Sequence, residues 1–172
     1  APVPGDLAVA ENGDVFIGDG AAGMLYVIRE GRDSLEVLVP AGTFRSAQQP
    51  AVASDGRTVF VADYGRGIAS VDRATGSLHW VPHPRTVALG GTDGLLRMGA
   101  DLIGIQNGVE PQRVVRFTLG ADGSVAGWTT LEQGSPWMRE PTHGTVVDGA
   151  LYVIANSGWS AFDETGARRK GV

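Results

Sequence analysis

A strand-turn-strand pattern recurs four times within 172 residues, and a chain that repeats in register has to bury the same faces of each unit against the next. That narrows the fold more than any composition does. The first copy runs Leu7 to Ala10, an Asn12-Gly13 turn, then Val15 to Asp19; the second runs Ala51 to Ala53, Asp55-Gly56, then Thr58 to Asp63. The third has Asp93 to Leu96, a turn at Gly99 and Asp101 to Asn107, and the fourth has Gly144 to Val147, Asp148-Gly149 and Ala150 to Asn156. Asp19, Asp63, Asn107 and Asn156 then share one register position, with spacings of 44, 44 and 49 residues.

Each copy continues into a third strand, at Met24 to Ile28, Gly67 to Val71, Arg113 to Leu119 and Trp159 to Phe162. Three copies add a fourth, at Leu35 to Val39, Ser77 to Val81 and Ala126 to Leu131; after Gly166 only six residues remain, so the last copy lacks its outer strand. Asn-Gly and Asp-Gly turns match the right-handed twist of antiparallel strands. The second strands are apolar on both faces, as a sheet packed between two other sheets requires. Four strands per unit at a period near forty-four is the pattern of an all-β propeller, whereas a flat sandwich gives no reason for modules to repeat in register.

The chain therefore reads as one partial propeller domain over 1–172, with blades at about 5–47, 48–89 and 90–136 and an incomplete one at 137–172. Three blades and a remnant do not make a ring. The missing blades of a longer protein, or a second copy of this chain, are expected to close it, and the longer protein is the expectation here. Ala1 in place of an initiator methionine fits either a removed leader, which would put the protein in the periplasm or outside the cell, or a piece of a longer chain.

Composition excludes several classes. A net charge of -5 with scattered basic residues argues against nucleic acid, and the one basic run is Arg168-Arg169-Lys170. Apolar runs such as Ala150 to Ala155 are too short for a membrane span. With no cysteine there is no disulfide, thiolate metal site or cysteine nucleophile. One lysine among fourteen basic residues is the usage expected of a GC-rich bacterial genome. Gly18-Asp19-Gly20-Ala21-Ala22-Gly23 matches a dinucleotide fingerprint as a string, but a strand follows instead of a helix, so no helix N-terminus awaits a pyrophosphate.

Innermost strands line a propeller's channel, and Asp6, Gln49, Asp93 and Glu140 each lie near the start of one. Oxygen ligands from several blades suit calcium or magnesium. The alternative for such residues is to cap turns and bind ordered water. His143, in Pro141-Thr142-His143-Gly144, is the one histidine near an innermost strand; it is a candidate general base, or else it satisfies a loop carbonyl. A residue recurring in every blade serves each blade, so Asp19, Asp63 and Asn156 are expected to bond loop amides. Asn107, in Gln106-Asn107-Gly108, is the expected exception, facing the channel with Glu140 as a substrate-binding candidate. The four tryptophans are expected to pack between blades or at the rim.

Thr92-Asp93-Gly94-Leu95 followed by Asp101 to Gly108, the stretch Ser54 to Gly65, and Glu140-Pro141-Thr142 leading to Ala150 to Ser157 together resemble the later blades of gluconolactonase and regucalcin-like proteins of the senescence marker protein type. NHL-repeat propellers are a looser match. The resemblance implies a six-bladed ring with a divalent metal, usually calcium, in its channel and activity as a hydrolase of lactones or related esters. Asp93 falls at the family's metal-binding aspartate and Gln49 at its asparagine, while the first-blade acid has no counterpart in this chain. On that reading Asp93, Gln49 and Asp6 hold the metal, His143 and Asp93 are catalytic, and a small lactone or ester is the partner. The rival reading is a non-catalytic scaffold that binds a protein or glycan, or an inactive fragment of a longer propeller.

Overall fold

In a computed structural model, which describes residues 2–169, every repeat becomes its own antiparallel sheet. The first blade is β1 (Pro4–Val9), β2 (Val15–Asp19), β3 (Met24–Ile28) and β4 (Leu35–Val39), hydrogen-bonded in that order. The second is β5 (Ala47–Val52), β6 (Thr58–Asp63), β7 (Gly67–Asp72) and β8 (Leu78–Trp80); the third is β9 (Thr92–Met98), β10 (Asp101–Gln106), β11 (Arg113–Leu119) and β12 (Val125–Gln133). Of the fourth, β13 (Gly144–Val147) and β14 (Ala150–Val153) form a two-stranded sheet. The innermost strands β1, β5, β9 and β13 contact one another in sequence.

The second strand of each blade explains the stacking. Val59 and Val61 of β6 pack with Phe16, Leu25 and Val27 of the first blade, while Phe60 and Ala62, the alternate residues, pack with Leu95, Leu102 and Phe117 of the third. In β10, Leu102 faces back to the second blade and Ile103 and Ile105 face forward to Met138 and to Leu151 and Val153 of the fourth. Period two thus assigns each apolar side chain to one of two dry interfaces. A fully buried Val, Leu, Ile or Phe contributes about 1.5–3 kcal/mol, so these interfaces supply the main driving force of the fold. At the opposite ends of the stack Leu7, Val9 and Val37, and Tyr152, Ile154 and Trp159, remain exposed.

The sequence reading of the last blade needs correction. Trp159 to Phe162 is not a third strand: Trp159–Ala161 is a 3-10 turn entered through Gly158 at a φ of 71°, and Phe162 makes only an isolated bridge to Arg168. The Glu140 carboxylate takes the backbone amide of Ser160, which bends the chain away from β14. Lys170 of the basic run lies outside the described residues. Trp80 packs edge-on to Phe44 with Arg66 over its face, and Trp128 lies under Arg113, both at the rim; Trp137 and Trp159 are exposed. Among the described residues no helix is long and apolar enough to cross a membrane.

Blade spacing near the axis depends on small residues. A Cβ on Gly94 would lie 2.5 Å from the Thr142 carbonyl oxygen and 2.9 Å from Ile105 Cδ1, so β9 and the fourth blade could not keep their separation. Gly127, on the outer strand β12, would meet nothing within 4 Å. Gly94→Ala is expected to lower stability by about 1–3 kcal/mol, and Gly127→Ala to change it by less than about 0.5 kcal/mol. Urea unfolding of the two variants measures the contrast.

Candidate functional site

The innermost strands share a second feature that the repeat pattern does not display. In β1 the residues Gly5 and Asp6 oppose only Gly18, because Pro4 pairs with Asp19 and Leu7 with Ile17. In β5, Gln48 and Gln49 oppose only Ala62, between the pairs Ala47 with Asp63 and Pro50 with Val61. In β9, Asp93 is inserted between Thr92, paired with Gln106, and Gly94, paired with Ile105. Just before β13, the Thr142 amide donates to the Ile154 carbonyl and the Ile154 amide donates to the His143 carbonyl, so two residues again face one. A β-bulge bends its strand and re-aims a side chain. The four blades therefore carry Asp6, Gln49, Asp93 and His143 at corresponding bulges.

Three of these side chains meet. Asp6, Asp93 and His143 each place a ligand-type atom within 4.8 Å of the others, a grouping that could hold a metal ion. His143 Nε2 is 2.8 Å from Asp6 Oδ2 and 3.8 Å from Asp93 Oδ1. The first contact lies off the line of the ring N–H, so Nε2 has two anionic neighbours but no aligned hydrogen bond. Gln49 Oε1 is likewise buried without a hydrogen-bond partner. A buried carbonyl oxygen left so is costly unless a ligand or water satisfies it.

Burial holds the Asp93 carboxyl above the usual carboxylate range; His143 and the Asn107 amide oppose that shift, and the Asp6 charge adds to it. The neighbouring Asp6 carboxylate raises the pKa of His143 against the effect of burial, with Asp93 adding to the rise. Asn107 Nδ2 donates to Asp93 Oδ2 at 2.7 Å, and Asn107 Oδ1 accepts from the Tyr64 hydroxyl at 2.9 Å. Glu140 is spent elsewhere. Its carboxylate accepts from the Ser160 amide at 3.1 Å and contacts the Ser157 hydroxyl at 3.4 Å, which holds it below the usual range and fixes the loop after β14.

Asp19, Asp63 and Asn156 behave as loop caps, with the register changed in the last two blades: counted from the bulge, Asn156 lies one place beyond Asp19 and Asp63. Asp19 accepts from the amides of Val3, Ala21 and Ala22, and Asp63 from those of Arg45 and Gly65. Asn156 accepts from the Gly158 amide. In the third blade the equivalent place at the end of β10 belongs to Gln106, not to Asn107. Gln106 is fully buried, donates to the carbonyls of Ala88 and Gly90, and accepts from Arg113 Nε. Asn107, one residue on, is thereby free to reach Asp93. Tyr64 was absent from the sequence reading; it follows Asp63, where a half-exposed aromatic carries no pattern of its own. Alignment of Thr92-Asp93-Gly94 with Thr142-His143-Gly144 would have paired His143 with Asp93 from the sequence.

The fold has relatives among solved structures. A chain of a nidogen-laminin complex superposes with a TM-score of 0.69 at 16% identity, over 86% of this chain and 54% of that one. The fold is that of a β-propeller. A calcium-binding regucalcin from Agrobacterium tumefaciens matches with a TM-score of 0.62 at 18% identity, over 87% of this chain and 52% of its own. A putative 6-phosphogluconolactonase from Bacteroides uniformis gives 0.63 at 12% identity, over 98% and 53%. The present chain thus spans about half the length of the propellers it matches, and its described blades do not close a ring. No protein-family model and no curated protein sequence matches it.

Because the folded pKa of His143 lies above its unfolded value near 6.5, its contribution to stability is complete below that value and is lost as pH rises through the folded pKa. The raised Asp93 carboxyl acts in the same direction, from 3.8 upward. Urea unfolding at pH 5 to 9 is expected to show the propeller losing stability toward alkaline pH, with a flatter profile for His143→Gln.

Proposed function

We propose that the axial cluster is the centre of a divalent-metal-dependent hydrolase of lactones or related esters. The observation that carries this reading is the convergence of Asp6, Asp93 and His143 from three different blades on one small space. Two carboxylates form an oxygen donor set of the kind calcium, magnesium and manganese take. The unpartnered Gln49 amide oxygen, on the corresponding bulge of the second blade, is the further donor this chain offers. The donor chemistry therefore fits a hard divalent cation, calcium first among them. When bound, such an ion supplies charge to polarise a carbonyl and to acidify water.

The residues of the chain have separate tasks on this reading. Asp6 and Asp93 would hold the cation, and Asn107 steadies Asp93 through its Oδ2. His143 Nε2, with both carboxylates nearby, carries the proton from the attacking water to the leaving alkoxide. An imidazole can both accept and donate a proton, which suits that two-way role. The match to a calcium-binding regucalcin supports the choice of calcium. Glu140, expected to bind substrate, is assigned instead to holding the loop after β14.

Hydrolysis of a panel of γ- and δ-lactones, followed by proton release, tests the reading. Activity is expected to vanish with chelator and return with calcium, and Asp93→Asn and His143→Gln are each expected to lower kcat/KM by about 10²-fold or more. Activity that survives chelation, or that is untouched in both variants, contradicts it. A protein without activity toward any lactone or ester would turn the reading to a binding scaffold.

A further inference from the structure

Tyr64 stands at the seam of the second and third blades, outside the cluster itself, and its surroundings are built to fit it. Its backbone amide donates to the Ser46 carbonyl and its own carbonyl accepts from the Gly91 amide, so the main chain is held on both sides. A Cβ on Gly108 would lie 2.7 Å from the Tyr64 hydroxyl oxygen, 2.8 Å from Cζ and 2.6 Å from Gly91 Cα. Any residue but glycine there would displace the ring.

The hydrogen bonds around it have only one consistent direction. Asp93 as a carboxylate can only accept, so Asn107 must turn its NH₂ toward Oδ2. Its carbonyl oxygen then points away and needs a donor. The Tyr64 hydroxyl is that donor, at 2.9 Å. Burial and the Asp93 charge both raise the phenol's pKa, so the hydroxyl keeps its proton throughout the neutral range. Without that donor the Asn107 oxygen loses its partner, and the bond to Asp93 alone is left to hold the amide.

We propose that Tyr64 is a positioning residue for the axial site: its hydroxyl locks the Asn107 amide as a donor to Asp93 Oδ2, which leaves Asp93 Oδ1, on the side of His143 and Asp6, as the oxygen offered to a bound cation. The proposal rests on the reading of Asp93 as a cation ligand. Residues that orient a ligand through one intermediate are worth about 10- to 100-fold in metal affinity, and Tyr64, one step further out, is expected near the lower end.

The test uses the full chain, with Mn²⁺ as the probe, and the variants Tyr64→Phe, Asn107→Ala and the double variant. Mn²⁺ affinity by electron paramagnetic resonance is expected to fall about tenfold in Tyr64→Phe and no further in the double variant than in Asn107→Ala alone. The side-chain NH₂ signals of Asn107 in a ¹⁵N–¹H spectrum are expected to shift in Tyr64→Phe while the urea midpoint stays at the wild-type value. Unchanged affinity with unmoved Asn107 signals overturns the proposal, as does a loss that adds to that of Asn107→Ala. Should the wild-type chain bind no Mn²⁺, the cation reading falls, and the Asn107 signals alone decide: a shift sustains the Tyr64 lock and no shift refutes it.

Discussion

One surplus residue in each innermost strand is what turns a stack of sheets into a site. A regular ladder sends alternate side chains into the two interfaces between blades, where only apolar groups are tolerated without cost. The bulges at Asp6, Gln49, Asp93 and His143 interrupt that alternation at the same level of each blade. Polar residues can then stand at the axis while Val61, Ala62 and Ile105 beside them keep the interfaces dry. The blades fix the strands, and the strands fix the bulges. Side chains on rigid elements of this kind are held more accurately than side chains on loops.

Gathering two carboxylates in a partly buried space costs free energy, since each disfavours the charge of the other and both lose water. Here the cost is offset locally. His143 sits between the two acids, and Asn107 donates to the more buried one. The compensation is incomplete, for Asp93 remains above its ordinary range and Gln49 keeps an unpaired buried oxygen. Residual strain of this sort concentrates where a protein binds or reacts.

Much of the fold was legible because burial writes itself into sequence. Strands apolar on both faces, punctuated by Asn12-Gly13, Asp55-Gly56 and Asp148-Gly149, leave little room for another architecture. Asp6, Asp93 and His143 could each be singled out in the sequence, but their meeting, and the wiring around it, could not. Spacing put Asn107 in line with Asp19 and Asp63, whereas hydrogen bonding gives that place to Gln106. A one-residue difference in register is invisible when both candidates are amides. Glu140 looked like a channel residue and is a loop anchor, because its partner Ser157 lies in the loop after β14 and its partner Ser160 in a turn where a strand was expected. Short-range backbone partners of that kind leave no periodic trace.

The most direct measurement is a crystal structure of the protein soaked in Mn²⁺, with anomalous data collected at the manganese edge. A single anomalous peak is predicted on the axis, in bonding contact with carboxylate oxygens of both Asp6 and Asp93, with His143 adjoining it. An axis free of anomalous signal at a saturating soak, or crystallographic carboxylates of Asp6 and Asp93 that point into separate interfaces, would contradict a shared centre built by the bulges.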